Sequence, residues 1–268
     1  AGVGGSKIYL LDQKTSEQFW EDVFEPTGNL PSSQPRATYI DHITHNVFKG
    51  NMDAWAKFYE CVFNFQEIRY FDIKGKKTAL RSKAMVSPCG KIRIPLNESQ
   101  DDFSQIAEFL KLYNGEGIQH IALGCHDIYS VVGHIKDAGI VFQQTPDTYY
   151  DLVDQRIANH QENVASLKKL NILIDGGELP GDGVLLQIFT KEIVGPIFFE
   201  FIERKGNKGF GEGNFQALFE SIELDQIRRG VIGEGVTAQG QTAQTNLKHP
   251  MLFDDQVPES QEQKSLTI

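Results

Sequence analysis

Two histidines and one carboxylate stand in runs that read as β-strands: His42 in YIDHITHNV, His120 in GIQHIALGC and Glu200 in PIFFEFIER. Ile197, Phe198, Phe199, Phe201 and Ile202 crowd around Glu200. A carboxylate buried alone among such side chains is too costly, so it must be paired, neutralised or metal-bound. Two imidazoles and a carboxylate on one side of a metal form the facial triad of non-haem Fe(II) oxygenases, with positions left open for substrate and dioxygen. The three residues lie 120 − 42 = 78 and 200 − 120 = 80 positions apart, so no local motif joins them. A lone strand histidine is more often a hydrogen-bonded core residue than a ligand, and residue chemistry alone leaves that alternative open. His45 competes with His42, but the two-residue period of a strand sends positions 42 and 45 to opposite faces. By the same parity Glu203 turns away from Glu200 as a solvated charge. His126, His134 and His160 are expected at the surface.

The elements that would position these residues repeat. A strand at 38–47, a helix at 51–63 and strands at 65–73, 77–85 and 91–96 give β-α-β-β-β. A connecting helix carries Phe103, Ile106, Leu110 and Tyr113 on one face and stops at Gly115. The pattern then restarts with a strand at 117–125 and a helix at 127–139. VFQQTP resumes extended structure, an insertion after it reads as helical and largely surface, and strands follow at 183–190 and 196–204. This is a diverged internal duplication, with modules at about 38–98 and 117–204. The expected fold is therefore α+β: paired βαβββ modules forming an open, barrel-like sheet. A closing helix is expected at 214–229, with Asn214 as its N-cap and Gly206, Gly209, Gly211 and Gly213 before it as a candidate hinge. Residues 1–37 read as the end of an N-terminal domain (KIYLLD as a strand) plus a linker over 21–37, and 231–268 as an extended or mobile tail.

Bulk properties narrow the function. Of 268 residues, 40% are hydrophobic and 23% charged, as in an ordinary globular protein of one or two domains. The net charge is 26 − 36 = −10, which argues against nucleic-acid or anionic-membrane partners. No apolar run reaches the roughly 20 residues that span a bilayer. Cys61, Cys89 and Cys125 show no zinc spacing and suit a reducing, cytoplasmic setting as small buried or half-buried thiols.

The segments IDHITHNV, FDIKGKKTALRSKAM, IRIPLNE, NGEGIQHIAL, PDTYY, LLQIFT, GPIFFEFIERKG and GFGEGNFQALFESIE together resemble the catalytic portion of the 4-hydroxyphenylpyruvate dioxygenase family, over roughly residues 38–230. The resemblance implies the vicinal-oxygen-chelate fold, Fe(II) held by His42, His120 and Glu200, and an aromatic α-keto acid with O2 as co-substrate. It implies a substrate pocket at Ser82, Asn97, Gln105, Gln187, Phe189, Phe198, Phe210, Asn214 and Phe215, with Gln187 and Asn214 as orienting groups. Decarboxylation, ring hydroxylation and side-chain migration to homogentisate would follow, in a homo-oligomer. The family usually has a further N-terminal domain, of which residues 1–37 would be the remnant. Alternatives are 4-hydroxymandelate synthase, an extradiol dioxygenase, and a metal-free binding module of the same fold.

Overall fold

The computed structural model describes residues 1–25, 37–74, 79–100, 104–176, 183–214 and 217; the KIYLLD run opens this account with a correction. It pairs with no other described strand. Instead Asp12 caps a helix, α1 (Gln13–Val23), by accepting from the Thr15 N–H at 2.7 Å. Helix formation through Val23 also shortens the expected linker. Before this, a single 3-10 turn at Val3–Gly5 tucks Val3 into the core of the first module. Gly4 there has φ 63°, and its Cα abuts the Glu116 carbonyl, so no side chain fits.

The first module runs β1 (Ala37–Val47), α2 (Met52–Phe63), β2 (Gln66–Lys74), β3 (Ala79–Val86) and β4 (Arg93–Ser99). Helix α3 (Gln105–Tyr113) links the modules. Ser104 caps its start by accepting from the Ala107 N–H at 3.2 Å, and Asn114 ends it at φ 59°. The second module runs β5 (Gly117–Cys125), α4 (Ile128–Asp137), α5 (Asp147–Asp151), α6 (Val153–Arg156), α7 (Val164–Leu170), β6 (Leu173–Gly176), β7 (Val184–Phe189) and β8 (Phe198–Lys205).

The eight described strands make one curled, mixed sheet, ordered β2-β3-β4-β1-β5-β8-β7-β6. In each module the first strand pairs parallel with the last, β1 with β4 and β5 with β8. The modules meet at the antiparallel β1–β5 seam. There His42 faces Ala122 and Thr44 faces His120, so the two histidines are exchanged by a local two-fold. Leu186, Ile188 and Phe201 join Ile128, Val131 and Val132 of α4 in the helix-covered core. Strand alternation puts Gln187 and Glu200 on the other face, with the small Ala122–Leu185–Ile202 cluster.

Three further expectations are corrected here. The second strand of module two is β6, not VFQQTP, which contributes only a single bridge from Phe142 to Thr190. A short apolar run right after the left-handed Asn171 outcompetes a segment ending in Pro146. The insertion is helical but not superficial, because Tyr149, Tyr150, Val153 and Leu167 are buried in the core. Glu203 is buried rather than solvated: it accepts the Ile128 N–H at 2.9 Å, a carboxylate at the positive start of α4. Cys125 is buried, whereas Cys61 and Cys89 are exposed. The linker over 26–36, Phe215, the tail and most of the expected closing helix lie outside the described residues.

Candidate metal centre

Strands β1, β5 and β8 are neighbours, and this brings the distant triad together. One ligand atom from each of His42, His120 and Glu200 lies within 4.8 Å of the others, and all three residues are buried. Glu200 Oε2 is 3.2 Å from His42 Nε2 and 3.4 Å from His120 Nε2, while Glu200 Oε1 is buried with no described partner. An orphaned carboxylate oxygen beside two converging imidazole nitrogens is a donor set suited to a metal ion. Electrostatics agree. Burial would raise the Glu200 pKa, but the two histidines outweigh it and hold the carboxyl at about 2. His42 is pulled down by burial, yet the Glu200 and Asp41 carboxylates lift it to about 8. Burial lowers the pKa of His120 despite the nearby Glu200 carboxylate.

A β-bulge precedes each histidine. On β1, Ile40 pairs with Leu123 and His42 with Ala122, leaving Asp41 as the extra residue. On β5, His120 pairs with Thr44 and Ile118 with His45, leaving Gln119 extra. A bulge breaks strict alternation and re-aims a side chain. Each extra residue thereby reaches the ring beside it: His42 Nδ1 lies 2.9 Å from Asp41 Oδ1, and His120 Nδ1 lies 3.1 Å from Gln119 Oε1. Both acceptors hold the proton on Nδ1 and leave Nε2 free to ligate.

Asp41 is itself anchored. Arg204 donates to both its oxygens, at 2.7 and 2.8 Å, and Arg93 lies 3.5 Å away. Burial alone would raise the Asp41 pKa, but Arg204 and His42 hold it well below the usual carboxylate range. Arg204 also donates to the Gly209 carbonyl at 2.6 Å. Phe210 follows directly, its ring 5.8 Å from the Arg204 guanidinium and edge-on to His42 at 5.4 Å. His45 faces α2 instead, with Nε2 2.9 Å from the Tyr59 hydroxyl, and burial pushes its pKa down to about 4.

The other expected pocket residues divide. Phe198 stacks on His120 at 5.0 Å and Phe189 meets it edge-on at 6.1 Å. Gln187 is buried with Oε1 unpartnered, and the Gly211 backbone packs on its amide. Ser82 and Asn97 pair across β3–β4 in module one. Gln105 is exposed at the start of α3. Asn214 is buried, but its side chain is not an N-cap: helical turn begins earlier, at Glu212, and the amide oxygen accepts from the Tyr149 hydroxyl at 2.6 Å. His126 and His134 are exposed as expected, whereas the His160 ring is largely covered and contacts Asp154 at 2.9 Å. Sequence reasoning missed Asp41, Gln119, Arg204, Tyr149 and Arg156. The polar residue immediately before each strand histidine, in IDH and IQH, was the available signal for two of them.

A curled sheet of paired βαβββ modules around a buried His-His-Glu cluster defines a metal-site protein of the vicinal-oxygen-chelate class, and residues 39–155 match the Glyoxalase/Bleomycin resistance protein/Dioxygenase superfamily. The chain is 59% identical over 234 residues to a 4-hydroxyphenylpyruvate dioxygenase of Pseudomonas aeruginosa, covering 86% of this chain and 65% of that protein. It is 58% identical over 235 residues to hemolysin VllY of Vibrio vulnificus, covering 86% and 66%. Among solved structures, a mutant 4-hydroxymandelate synthase from Streptomyces coelicolor aligns with a TM-score of 0.62 at 32% identity, covering 75% of this chain and 56% of that one. The chain belongs to the 4-hydroxyphenylpyruvate dioxygenase family. It spans 65–66% of the length of the first curated relatives it matches. No described helix is long and apolar enough to cross a membrane.

Proposed function

We propose that this chain carries the active site of a non-haem Fe(II) dioxygenase that converts 4-hydroxyphenylpyruvate and O2 to homogentisate and CO2. The observation that carries the proposal is the buried convergence of His42, His120 and Glu200. Relatives at 51–59% identity bearing the dioxygenase name support the substrate assignment. Fe(II), when bound, supplies the site where the α-keto acid is chelated and O2 is activated.

The protein's own groups then have distinct tasks. Glu200 contributes the negative charge that offsets the metal's, and Asp41 and Gln119 keep both imidazoles in the ligating tautomer. Phe189, Phe198 and Phe210 surround the ligand rings and flank the substrate's aromatic ring, excluding water from the oxidant. The unpartnered Gln187 Oε1 accepts from the substrate's phenol hydroxyl, and Asn214, Ser82 and Asn97 supply further polar contacts. Gln105 and Phe215 complete the proposed pocket.

A second reading, 4-hydroxymandelate synthase, is supported by the structural likeness to that enzyme. The two differ in product from one substrate. Incubation with Fe(II), O2 and 4-hydroxyphenylpyruvate should yield homogentisate with one CO2 per turnover; hydroxymandelate would select the synthase, and no turnover with stoichiometric iron bound would reject both.

A further inference from the structure

The buried insertion carries a polar network that ends on Asn214. The Tyr149 hydroxyl lies 2.6 Å from Asn214 Oδ1, 2.7 Å from Arg156 Nη2, and 2.9 Å from both the N–H and the carbonyl of Ile174. Arg156 stacks over the Tyr149 ring at 4.9 Å. It also donates to the Ile174 carbonyl at 2.8 Å, to Asn214 Oδ1 at 3.3 Å and to the Gly213 carbonyl at 3.4 Å.

Proton counting orients the amide. A phenol offers one proton and two lone pairs. Arg156 and the Ile174 N–H use the lone pairs, so the single proton has two acceptors in reach. The Ile174 carbonyl is already served by Arg156, and the Asn214 contact is the shorter, 2.6 against 2.9 Å. Asn214 Oδ1 thus receives from two donors, and its orientation is fixed. Its Nδ2 then has no partner among the described residues, although the residue is only 1% exposed. Leaving a buried donor empty is unfavourable unless a ligand fills it.

We propose that Tyr149 and Arg156 are positioning residues that hold Asn214 so that it presents a hydrogen-bond donor, not an acceptor, to an oxygen of the bound substrate. This rests on the reading above that Asn214 belongs to the substrate pocket. If the amide turned over, it would set one oxygen against another and oppose binding. The arrangement selects substrates with an oxygen acceptor at that point.

Anaerobic titration of the Fe(II)-loaded enzyme with 4-hydroxyphenylpyruvate tests this, alongside KM and kcat under O2. Asn214→Ala and Tyr149→Phe should each weaken substrate binding about tenfold, the loss of one oriented hydrogen bond. Fe(II) stoichiometry should stay unchanged. The double variant should be no weaker than Asn214→Ala alone, because the phenol acts only through that amide. Arg156→Gln, combined with Asn214→Ala in the same way, gives the same readout should Tyr149→Phe fail to fold. If Asn214→Ala leaves binding intact, the pocket reading of Asn214 falls and the proposal with it. If Asn214→Ala weakens binding but the second substitution adds its full penalty on that background, only the positioning role is overturned.

Discussion

The two halves of the sheet are built alike but contribute unequally. Each opens with a bulged strand that places a histidine at the seam and a hydrogen-bond acceptor on its Nδ1. In the first half that acceptor is a carboxylate fixed by Arg204; in the second it is the neutral amide of Gln119. The last strands differ more. Ala122 of β5 pairs with Glu200 of β8. The equivalent residue of β1 is Thr44, and one step back from the His45–Leu96 pair it stands opposite Pro95 of β4. A two-fold scaffold offers four ligand positions, and this chain fills three. The proline would leave one side of a bound metal without a protein ligand, as the proposed oxygen and substrate chemistry requires. The asymmetry is thus a division of labour: one half supplies a single candidate ligand and no fourth one, the other supplies two candidate ligands and the aromatic wall.

The largest test of that division is Glu200→Gln. The amide is a poorer ligand, so Fe(II) binding by anaerobic titration and turnover should both fall by orders of magnitude while circular dichroism stays native. Wild-type turnover in that variant would refute the triad. Pro95→Glu should fill the fourth position: Fe(II) would still bind, but turnover should be lost because the open side is blocked. Unchanged turnover there would break the two-fold argument. Next comes the pair Asp41→Leu and Gln119→Leu. Loss of an acceptor behind a ligand histidine typically costs about 10–100-fold in metal affinity. The charged Asp41 should sit at the upper end of that range, and Gln119 below it. Equal effects would erase the distinction between the halves.

Two stability effects are smaller. Leu167 is fully buried, so Leu167→Ala should cost about 2–5 kcal/mol in urea unfolding, whereas a superficial insertion would lose almost nothing. His45 is buried neutral, with its pKa lowered to about 4 from the ordinary 6.5. Its neutral form is favoured in the fold, so its contribution is complete above pH 6.5 and is lost progressively as pH falls toward 4. The metal-free protein should show this decline in unfolding midpoints as pH falls from 6.5 toward 4, and His45→Gln should flatten it.

Much of this was legible from residues. The duplication showed in hydrophobic alternation, and β5 has the bounds read for it, Gly117–Cys125. Glu200 stood out because a carboxylate among phenylalanines needs a partner. What was not legible follows from features that strand periodicity cannot see. Strict alternation puts Asp41 on the face away from His42, and only the bulge brings it to the ring. Tyr149 and Leu167 fall in a segment dense with polar residues, so their burial came from packing against α4 and β6 rather than from local pattern. Glu203 looked solvated because its partner, the Ile128 N–H, lies 203 − 128 = 75 residues away.

The seam also sets an order of assembly. Glu200 follows His42 by 200 − 42 = 158 residues, and β8 is the last of the described strands to leave a ribosome. A nascent chain that has completed β1 to β7 presents two imidazoles but no carboxylate between them. Capture of an ion by all three groups would therefore wait for β8 to slot between β5 and β7, and would report that these eight strands had closed.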